Sequence, residues 1–165
     1  MYKRQSKQLR TTEDLDALLN AMQEQINSLK ESASGKQTRI KKLDELLRMA
    51  DYYQQGKPVA DKLKTIRFDT FRQKYKAEHE NVLRTFYMAD RKLKNQWVDG
   101  KLPVYAWRKE KSKLETEYQA LQQKITPLYA DTKKLWAIHY SIYQVQHEQE
   151  RQNAITQQKK HEIEH

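Results

Sequence analysis

Hydrophobic and aromatic side chains recur every seven residues along much of this chain, in alternating steps of four and three. The clearest run has eleven positions, of which only three are polar: Trp107, Lys111, Leu114, Tyr118, Leu121, Ile125, Leu128, Thr132, Leu135, His139 and Ile142. This heptad spacing is typical of a helix that packs lengthwise along other helices. It predicts a helix over residues 103–150, which Pro103 can start and Pro127 should bend without ending.

An earlier run with the same spacing predicts another long helix, from about residue 12 to 55. Its positions are Leu15, Leu19, Met22, Ile26, Leu29, Ala33, Lys36, Ile40, Leu43, Leu47 and Ala50. Thr11 or Thr12 can cap its first turn. The heptad phase passes through Gly35 unchanged, so we expect one helix there, weakened by about 1 kcal/mol relative to alanine. Gly56 and Pro58 are typical of a helix end.

The segment between these two runs predicts a middle helix over residues 59–97. Its apolar positions are Val59, Leu63, Ile66, Phe71, Tyr75, His79, Val82, Phe86, Ala89, Leu93 and Trp97. The spacing is irregular around residues 67–70, where Asp69 or Thr70 can cap a restarted helix, so we expect a break there. Asp99 and Gly100 indicate the next turn.

Short connections at residues 56–58 and 99–103 predict that neighbouring helices run antiparallel. The expected fold is therefore all-α, an elongated antiparallel three-helix coiled-coil-like bundle in which the first and third helices are parallel. The two ends of the middle helix would lie roughly 50 Å apart. Residues 1–11 are basic and lack periodicity, which indicates a flexible arm, and residues 151–165 form a polar tail that is either helical or disordered.

The composition of the 165-residue chain agrees with long helices. Only 37% of residues are hydrophobic, 33% are charged, and Gly and Pro number three each, which disfavours both a thick globular core and a β fold. The aromatic residues lie in phase with the aliphatic ones, which disfavours disorder. There is no cysteine, signal-peptide pattern or membrane-spanning run, so we expect a cytoplasmic protein without disulfides or a membrane association.

The net charge of +10 is concentrated in three clusters: +4 in residues 1–11, +5 in residues 57–76 and +6 in residues 91–113. Such clusters predict a polyanionic partner, most simply DNA, although a solvated helix face has the same composition. The predicted nucleic-acid-binding residues are Lys64, Arg67, Arg72, Lys74, Lys76, Arg91, Lys92, Lys94, Arg108 and Lys109. Neighbouring aromatic residues, including Phe68, Phe71 and Trp107, could stack on bases, but their apolar spacing predicts that they are buried.

Candidates for catalysis or metal binding are weak. The sequence His161-Glu162-Ile163-Glu164-His165 has the spacing of a zinc-protease motif, but its polar flanks cannot bury the helix that such a site needs. His79 and His139 occupy apolar positions typical of packed histidines. Tyr52 and Tyr53 have no activating group nearby in sequence. We therefore predict no catalytic residue, metal or cofactor, and no enzymatic activity.

A family resemblance covers roughly residues 40–150. The residues that carry it are Lys57-Pro58-Val59, Ile66-Arg67-Phe68, Arg72-Gln73-Lys74-Tyr75, Glu78-His79, Leu83, Phe86-Tyr87, Ala89, Arg91-Lys92-Leu93, Leu102-Pro103, Ala106-Trp107, Glu110, Leu114, Glu117-Tyr118, Leu128 and Leu135. This pattern resembles the helical region downstream of the nuclease domain in relaxases (mobilisation nucleases) of Gram-positive conjugative elements.

The resemblance implies a non-catalytic part of such a protein. Relaxases of this kind nick DNA with a tyrosine nucleophile and a metal held by clustered histidines, whereas the five histidines here are dispersed. The implied roles are contacting DNA beside the nick, or docking relaxosome and coupling proteins. The alternative is a structural coiled-coil segment for dimerisation or scaffolding, with a homodimer as its simplest form.

Overall fold

The computed structural model describes residues 12–164, and they form four helices. These are α1 (Thr12–Thr65), α2 (Asp69–Glu78), α3 (Glu80–Lys92) and α4 (Val104–Glu164). No strand occurs among the described residues, which confirms the all-α prediction; one isolated bridge joins Val98 and Lys101. None of these helices has a stretch long and apolar enough to cross a membrane. The predicted arm at residues 1–11 lies outside the described residues.

The chain divides into two compact units. The central unit is Ser34–Gln119, and the terminal unit combines the segments before and after it, described over residues 12–33 and 120–164. The helices α1 and α4 contribute to both units, while α2 and α3 belong to the central unit. The polar tail after residue 150 continues α4 and is exposed on every side described.

The two heptad runs predicted from the sequence are confirmed by burial. In α1, none of the eleven positions from Leu15 to Ala50 is exposed, and in α4 none of the eleven from Trp107 to Ile142 is exposed. The middle run is less regular, because Leu83 is buried in place of Val82, and Phe71 is exposed. The spacing therefore identified the packed face correctly in both long helices.

The predicted helix end at residues 56–58 is wrong, because α1 continues to Thr65 with Pro58 inside it. Gly56 allows α3 to pack closely on α1, because a Cβ atom at this position would lie only 2.4 Å from the Cβ of Phe86. The chain leaves the helix at residues 66–68 instead, which overlaps the break expected at residues 67–70. The predicted middle helix is thus the end of α1, followed by α2 and α3.

The predicted turn at Asp99–Gly100 is present, but it does not reverse the chain between α3 and α4. Both residues have positive φ, 51° and 75°, and the backbones of Val98 and Lys101 exchange hydrogen bonds of 2.8 and 3.0 Å. This is the geometry of a tight two-residue hairpin turn. The chain makes a short excursion between Leu93 and Pro103 and then continues.

Contacts within the central unit give the directions of α3 and α4 relative to α1. Lys92 of α3 contacts Glu45, and further along the chain Lys111 of α4 contacts Asp44. Glu117 then contacts Lys36 at 2.6 Å. In α3, Phe86 packs at Gly56 and the later residue Lys92 at the earlier Glu45, so α3 runs antiparallel to α1. The two pairs of α4 show the same order, so the start of α4 is also antiparallel to α1. The predicted parallel arrangement of the first and third helices is wrong, because neither predicted connection reverses the chain.

The terminal unit has the same antiparallel pairing. His139 Nε2 lies 2.6 Å from Asp16 Oδ1, and the ammonium of Lys30 lies 4.4 Å from the ring centroid of Tyr129. The buried side chains of this unit are Leu15, Leu19, Ile26, Ala33, Ile125 and Thr132. They come from the heptad positions of α1 and α4, so one apolar face of each helix makes the core.

Acid should weaken the cross-helix pairing. The pKa values of Glu45, Glu110 and Glu117 are lowered, chiefly by hydrogen bonds from Lys92, Arg39 and Lys36 respectively. A carboxyl with a lowered folded-state pKa stabilises the fold above its unfolded pKa of about 4.5, and that contribution is lost as pH falls further. We expect the melting temperature by circular dichroism to be flat from pH 7 to about 5 and to fall below about 4.5.

Matched variants separate these ion pairs from general acid effects. The double variant Glu110→Gln with Glu117→Gln removes both charges and should make the melting temperature depend less on pH. Glu24→Gln with Glu31→Gln removes two exposed carboxylates of α1 that have no ion pair within the described residues. The melting temperature of this control should depend on pH as it does in the parent. Identical pH profiles for the two double variants would contradict the assignment.

Candidate nucleic-acid interface

The positive charge of the chain belongs almost entirely to the central unit. Its sequence, Ser34–Gln119, contains 21 basic and 12 acidic residues, a net charge of +9. The sequence of the terminal unit contains 11 basic and 10 acidic residues, a net charge of +1. A polyanion would therefore be attracted to the central unit.

All ten predicted nucleic-acid-binding residues lie in the central unit and are exposed. Lys92 is partly neutralised, because its ammonium contacts Glu45 at 2.8 Å. Within residues 12–164, the other nine have no carboxylate partner within ion-pair distance. Other cations of the unit, such as Lys36 and Arg39, are held by carboxylates across the helix pair. The structure thus separates cations that fix the fold from cations left open to solvent.

Five of the open cations surround the reversal between α1 and α2. This tip patch consists of Lys64, Arg67, Arg72, Lys74 and Lys76 together with Phe68 and Phe71. The two phenylalanines are 70% and 63% exposed, with ring centroids 6.1 Å apart in an edge-to-face arrangement. The expectation that they are buried is wrong, because α2 buries no residue. The tip patch therefore presents aromatic faces among its cations.

The remaining predicted residues, Arg91, Lys92, Lys94, Arg108 and Lys109, form a turn patch where α3 ends and α4 begins. Trp107 was a candidate for stacking on bases, but it is only 6% exposed and packs in the core with Leu43, Met49 and Leu93. The expectation that it is buried is confirmed.

The two patches are closer than the sequence indicated. Lys92 of the turn patch contacts Glu45 of α1, and the tip patch begins at the end of α1, twenty residues after Glu45. At about 1.5 Å per helical residue, the two patches are about 30 Å apart along α1. The sequence predicted roughly 50 Å, from a middle helix of about 38 residues. At 3.4 Å per base pair, about nine base pairs of duplex would span it.

A cleft of about 460 Å³ opens beside the turn patch. Its lining includes Trp97 and Tyr53, whose ring centroids are 5.2 Å apart and edge-to-face. Three cations also line it: Lys57, Lys101 and Arg108. Asp61 accepts a hydrogen bond from Lys57 and raises the pKa of that ammonium, which keeps it charged.

Sequence reasoning missed part of this cleft. Lys57 and Lys101 lie within the basic clusters that it found, but Trp97 was assigned to the apolar face of a continuous helix. The structure ends α3 at Lys92 and leaves Trp97 37% exposed. The adjacent Asp99–Gly100 turn was the available signal, since a residue just before such a turn need not follow the helical pattern.

The four histidines among residues 12–164 do not assemble a metal centre. The Nδ1 atom of His79 lies 3.0 Å from the carbonyl oxygen of Tyr75, to which it can donate, and the two rings are tilted by 33° with centroids 4.2 Å apart. His139 contacts Asp16. His161 is exposed on α4, while His165 lies outside the described residues. No group of three potential ligands suited to a metal ion occurs in the described part of the chain.

Comparison of this chain with protein-family models, curated proteins and solved structures finds no match.

Proposed function

We propose that this chain is a non-catalytic helical module that binds nucleic acid through the central unit. The observation that carries the proposal is a set of nine exposed cations that have no carboxylate partner among the described residues, all on the unit with a net charge of +9. Cations held in ion pairs must exchange one partner for another on binding phosphate. Unpaired cations release only water and counterions, so they can neutralise phosphates at lower cost.

The exposed aromatic residues support the same proposal. Phe68 and Phe71 lie in the tip patch, where a face exposed to solvent can stack on a base or pack on a sugar. Basic side chains interleaved with such aromatic faces are typical of proteins that contact unpaired nucleotides. The tip patch and the turn patch would hold two points of one nucleic-acid strand or duplex.

The resemblance of residues 40–150 to the helical region of mobilisation relaxases suggests a biological setting for this proposal. In that setting the chain would contact DNA near a transfer origin or dock relaxosome and coupling proteins during transfer of a conjugative element. The proposal assigns no nicking activity to this chain, and it places the protein in the cytoplasm, where such DNA would be met.

A salt titration tests the proposal. Fluorescence anisotropy of a labelled 20-base-pair duplex and a labelled 20-nucleotide single strand should report binding at about 50 mM salt, where phosphate contacts are least screened. If about six of the nine cations contact phosphates, the logarithm of the duplex association constant should fall with the logarithm of salt at a slope of roughly −5. Absence of binding to both probes at about 50 mM salt would contradict the proposal.

A structural role is the second candidate, and an exposed face of α4 favours it. Tyr129, Trp136, Tyr140 and Tyr143 repeat at seven, four and three residues, which is a second heptad run along the terminal unit. All four are exposed, and Trp136 is 52% exposed. A second copy of the chain could cover this face and make a homodimer. Sedimentation equilibrium showing a dimer, together with no binding in the salt titration, would select this function.

A further inference from the structure

We propose that the cleft beside Trp97 takes one unpaired nucleotide of a single strand, with the base against Trp97 and its phosphate at the cationic rim. This inference rests on the proposed nucleic-acid function and specifies the form of nucleic acid that the central unit prefers. It concerns residues that the two patches do not include, namely Trp97, Lys101 and the aromatic side chain of Tyr53.

Ring contacts hold the aromatic wall of the cleft, Tyr53 and Trp97, in a fixed orientation. Tyr53 meets Phe86 at a centroid distance of 5.0 Å on one side and the edge of Trp97 at 5.2 Å on the other. Phe86 is buried, so this contact fixes Tyr53, which in turn supports the indole. Trp97 keeps 37% of its surface in solvent. A supported and half-exposed indole can stack on a base with little loss of side-chain entropy.

The floor and the size of the cleft suit a planar ring. Leu47, Ala50, Pro58, Leu102 and Val104 supply an apolar lining. The volume of about 460 Å³ lies in the range of about 300–1,000 Å³ typical of small-molecule sites, which includes a single nucleotide. Asp51 and Gln54 also line the cleft and provide an acceptor and an amide for the polar edge of a base.

The rim of the cleft suits a phosphate. Lys101 follows the positive-φ turn at Gly100, and Arg108 lies one turn into α4; within residues 12–164 neither side chain has an ion-pair partner. Lys57 adds a third cation from α1. Three cations around an apolar, aromatic-walled cleft combine the two contacts that a nucleotide makes, one with its base and one with its phosphate.

A paired base cannot make both contacts. In a duplex each base is stacked above and below, so its face reaches the indole only if the nucleotide leaves the helix, which costs unpairing and unstacking energy. A single strand has no unpairing cost and a smaller unstacking cost. The cleft therefore favours single-stranded over duplex nucleic acid, whereas phosphate contacts at the two patches serve both forms.

Two tryptophan variants test this assignment. Trp97→Ala should weaken binding of a 20-nucleotide single strand by about tenfold to a hundredfold and change the affinity for a blunt 20-base-pair duplex by less than about twofold. Trp136→Ala removes an indole of the terminal unit that is more exposed than Trp97, 52% against 37%, and should change neither affinity. Single-strand binding should also quench tryptophan emission in the parent and in Trp136→Ala, and this quenching should be absent in Trp97→Ala.

A second variant, Lys101→Glu, tests the cleft even if Trp97→Ala loses helical content. Lys101→Glu leaves the aromatic wall intact and should weaken single-strand binding several-fold more than duplex binding.

Deoxyadenosine monophosphate is the third probe, used as a competitor of the single strand. Competition only at concentrations far above those of the 20-nucleotide strand supports a site for a nucleotide within a strand. Competition at equal concentration would overturn that assignment in favour of a free nucleotide.

The outcomes separate this inference from the proposed function. If neither the single strand nor the duplex binds the parent chain, the proposed function fails and the inference fails with it. If both bind the parent with equal affinity and Trp97→Ala changes neither, the nucleic-acid function stands and the cleft assignment is overturned.

Discussion

Reversing four charges of the tip patch is expected to weaken duplex binding by about a hundredfold or more at about 50 mM salt. The variant replaces Arg67, Arg72, Lys74 and Lys76 with glutamate. Each of these residues is exposed and has no carboxylate partner in the described chain, so each is free to contact a phosphate. Loss of four phosphate contacts should also reduce the salt slope by roughly 3.6, at about 0.9 for each contact.

The terminal unit provides a control with the same change in net charge. Lys133, Lys134, Lys159 and Lys160 are also exposed and without ion-pair partners within residues 12–164, and their replacement by glutamate again changes the net charge by −8. If long-range attraction alone drives binding, both variants should lose affinity equally. If the tip patch contacts the nucleic acid, the control should keep most of its affinity and its salt slope.

Both variants should keep the circular dichroism spectrum and melting temperature of the parent, because exposed, unpaired lysines and arginines contribute little to stability. Equal losses of affinity in the two variants would contradict a specific role for the tip patch and leave only non-specific attraction to the basic unit.

Two glycines of the same helix are expected to respond to alanine in opposite directions. Gly56→Ala should lower the free energy of unfolding by up to about 2 kcal/mol, because overpacking costs about 1–3 kcal/mol and the gain in helix propensity offsets about 1 kcal/mol. The new Cβ would lie 2.4 Å from the Cβ and 2.9 Å from the Cγ of Phe86. A Cβ cannot move without its backbone, so α3 must shift away from α1.

Gly35→Ala should raise the free energy of unfolding by about 0.5–1 kcal/mol. An added Cβ at this position meets no atom within 4 Å, so the substitution gains helix propensity without a steric cost. Thermal and urea unfolding of the two variants beside the parent would measure both changes. Stabilisation by Gly56→Ala would contradict the close packing of α3 on α1, and destabilisation by Gly35→Ala would contradict a continuous helix through residue 35.

The packed faces were more predictable from the sequence than the chain reversals, and these two glycines show the physical reason. A heptad position is decided by a repeated pattern over many residues, and burial agreed with it at the eleven predicted positions of each long helix. A helix end was inferred from one or two residues. Gly56 and Pro58 carry the local signature of a helix end, but packing against Phe86 selects glycine there for a different reason.

The candidate interface was predictable to a similar extent. Charge is visible in a sequence, so the basic clusters and the ten predicted residues could be identified, and all ten are exposed. Exposure of Phe68 and Phe71 and the position of Trp97 depend on which element packs on which. The packing of these elements depends on the chain reversal at residues 66–68 and on the excursion around Asp99. The local composition at these two places resembles that of other turns, so the sequence did not show which turn reverses the chain.

The antiparallel pairing of α1 also sets an order for folding. Glu45 and Lys92 are separated by 47 residues, whereas Thr12 and Gln146 are separated by 134. Closing a longer loop costs more chain entropy, and Gln146 is synthesised 134 residues after Thr12. Pairing should therefore start near the reversal at residues 66–68 and proceed outward along α1 and α4, and the first turn of α1 can pair only after residue 146 has been synthesised.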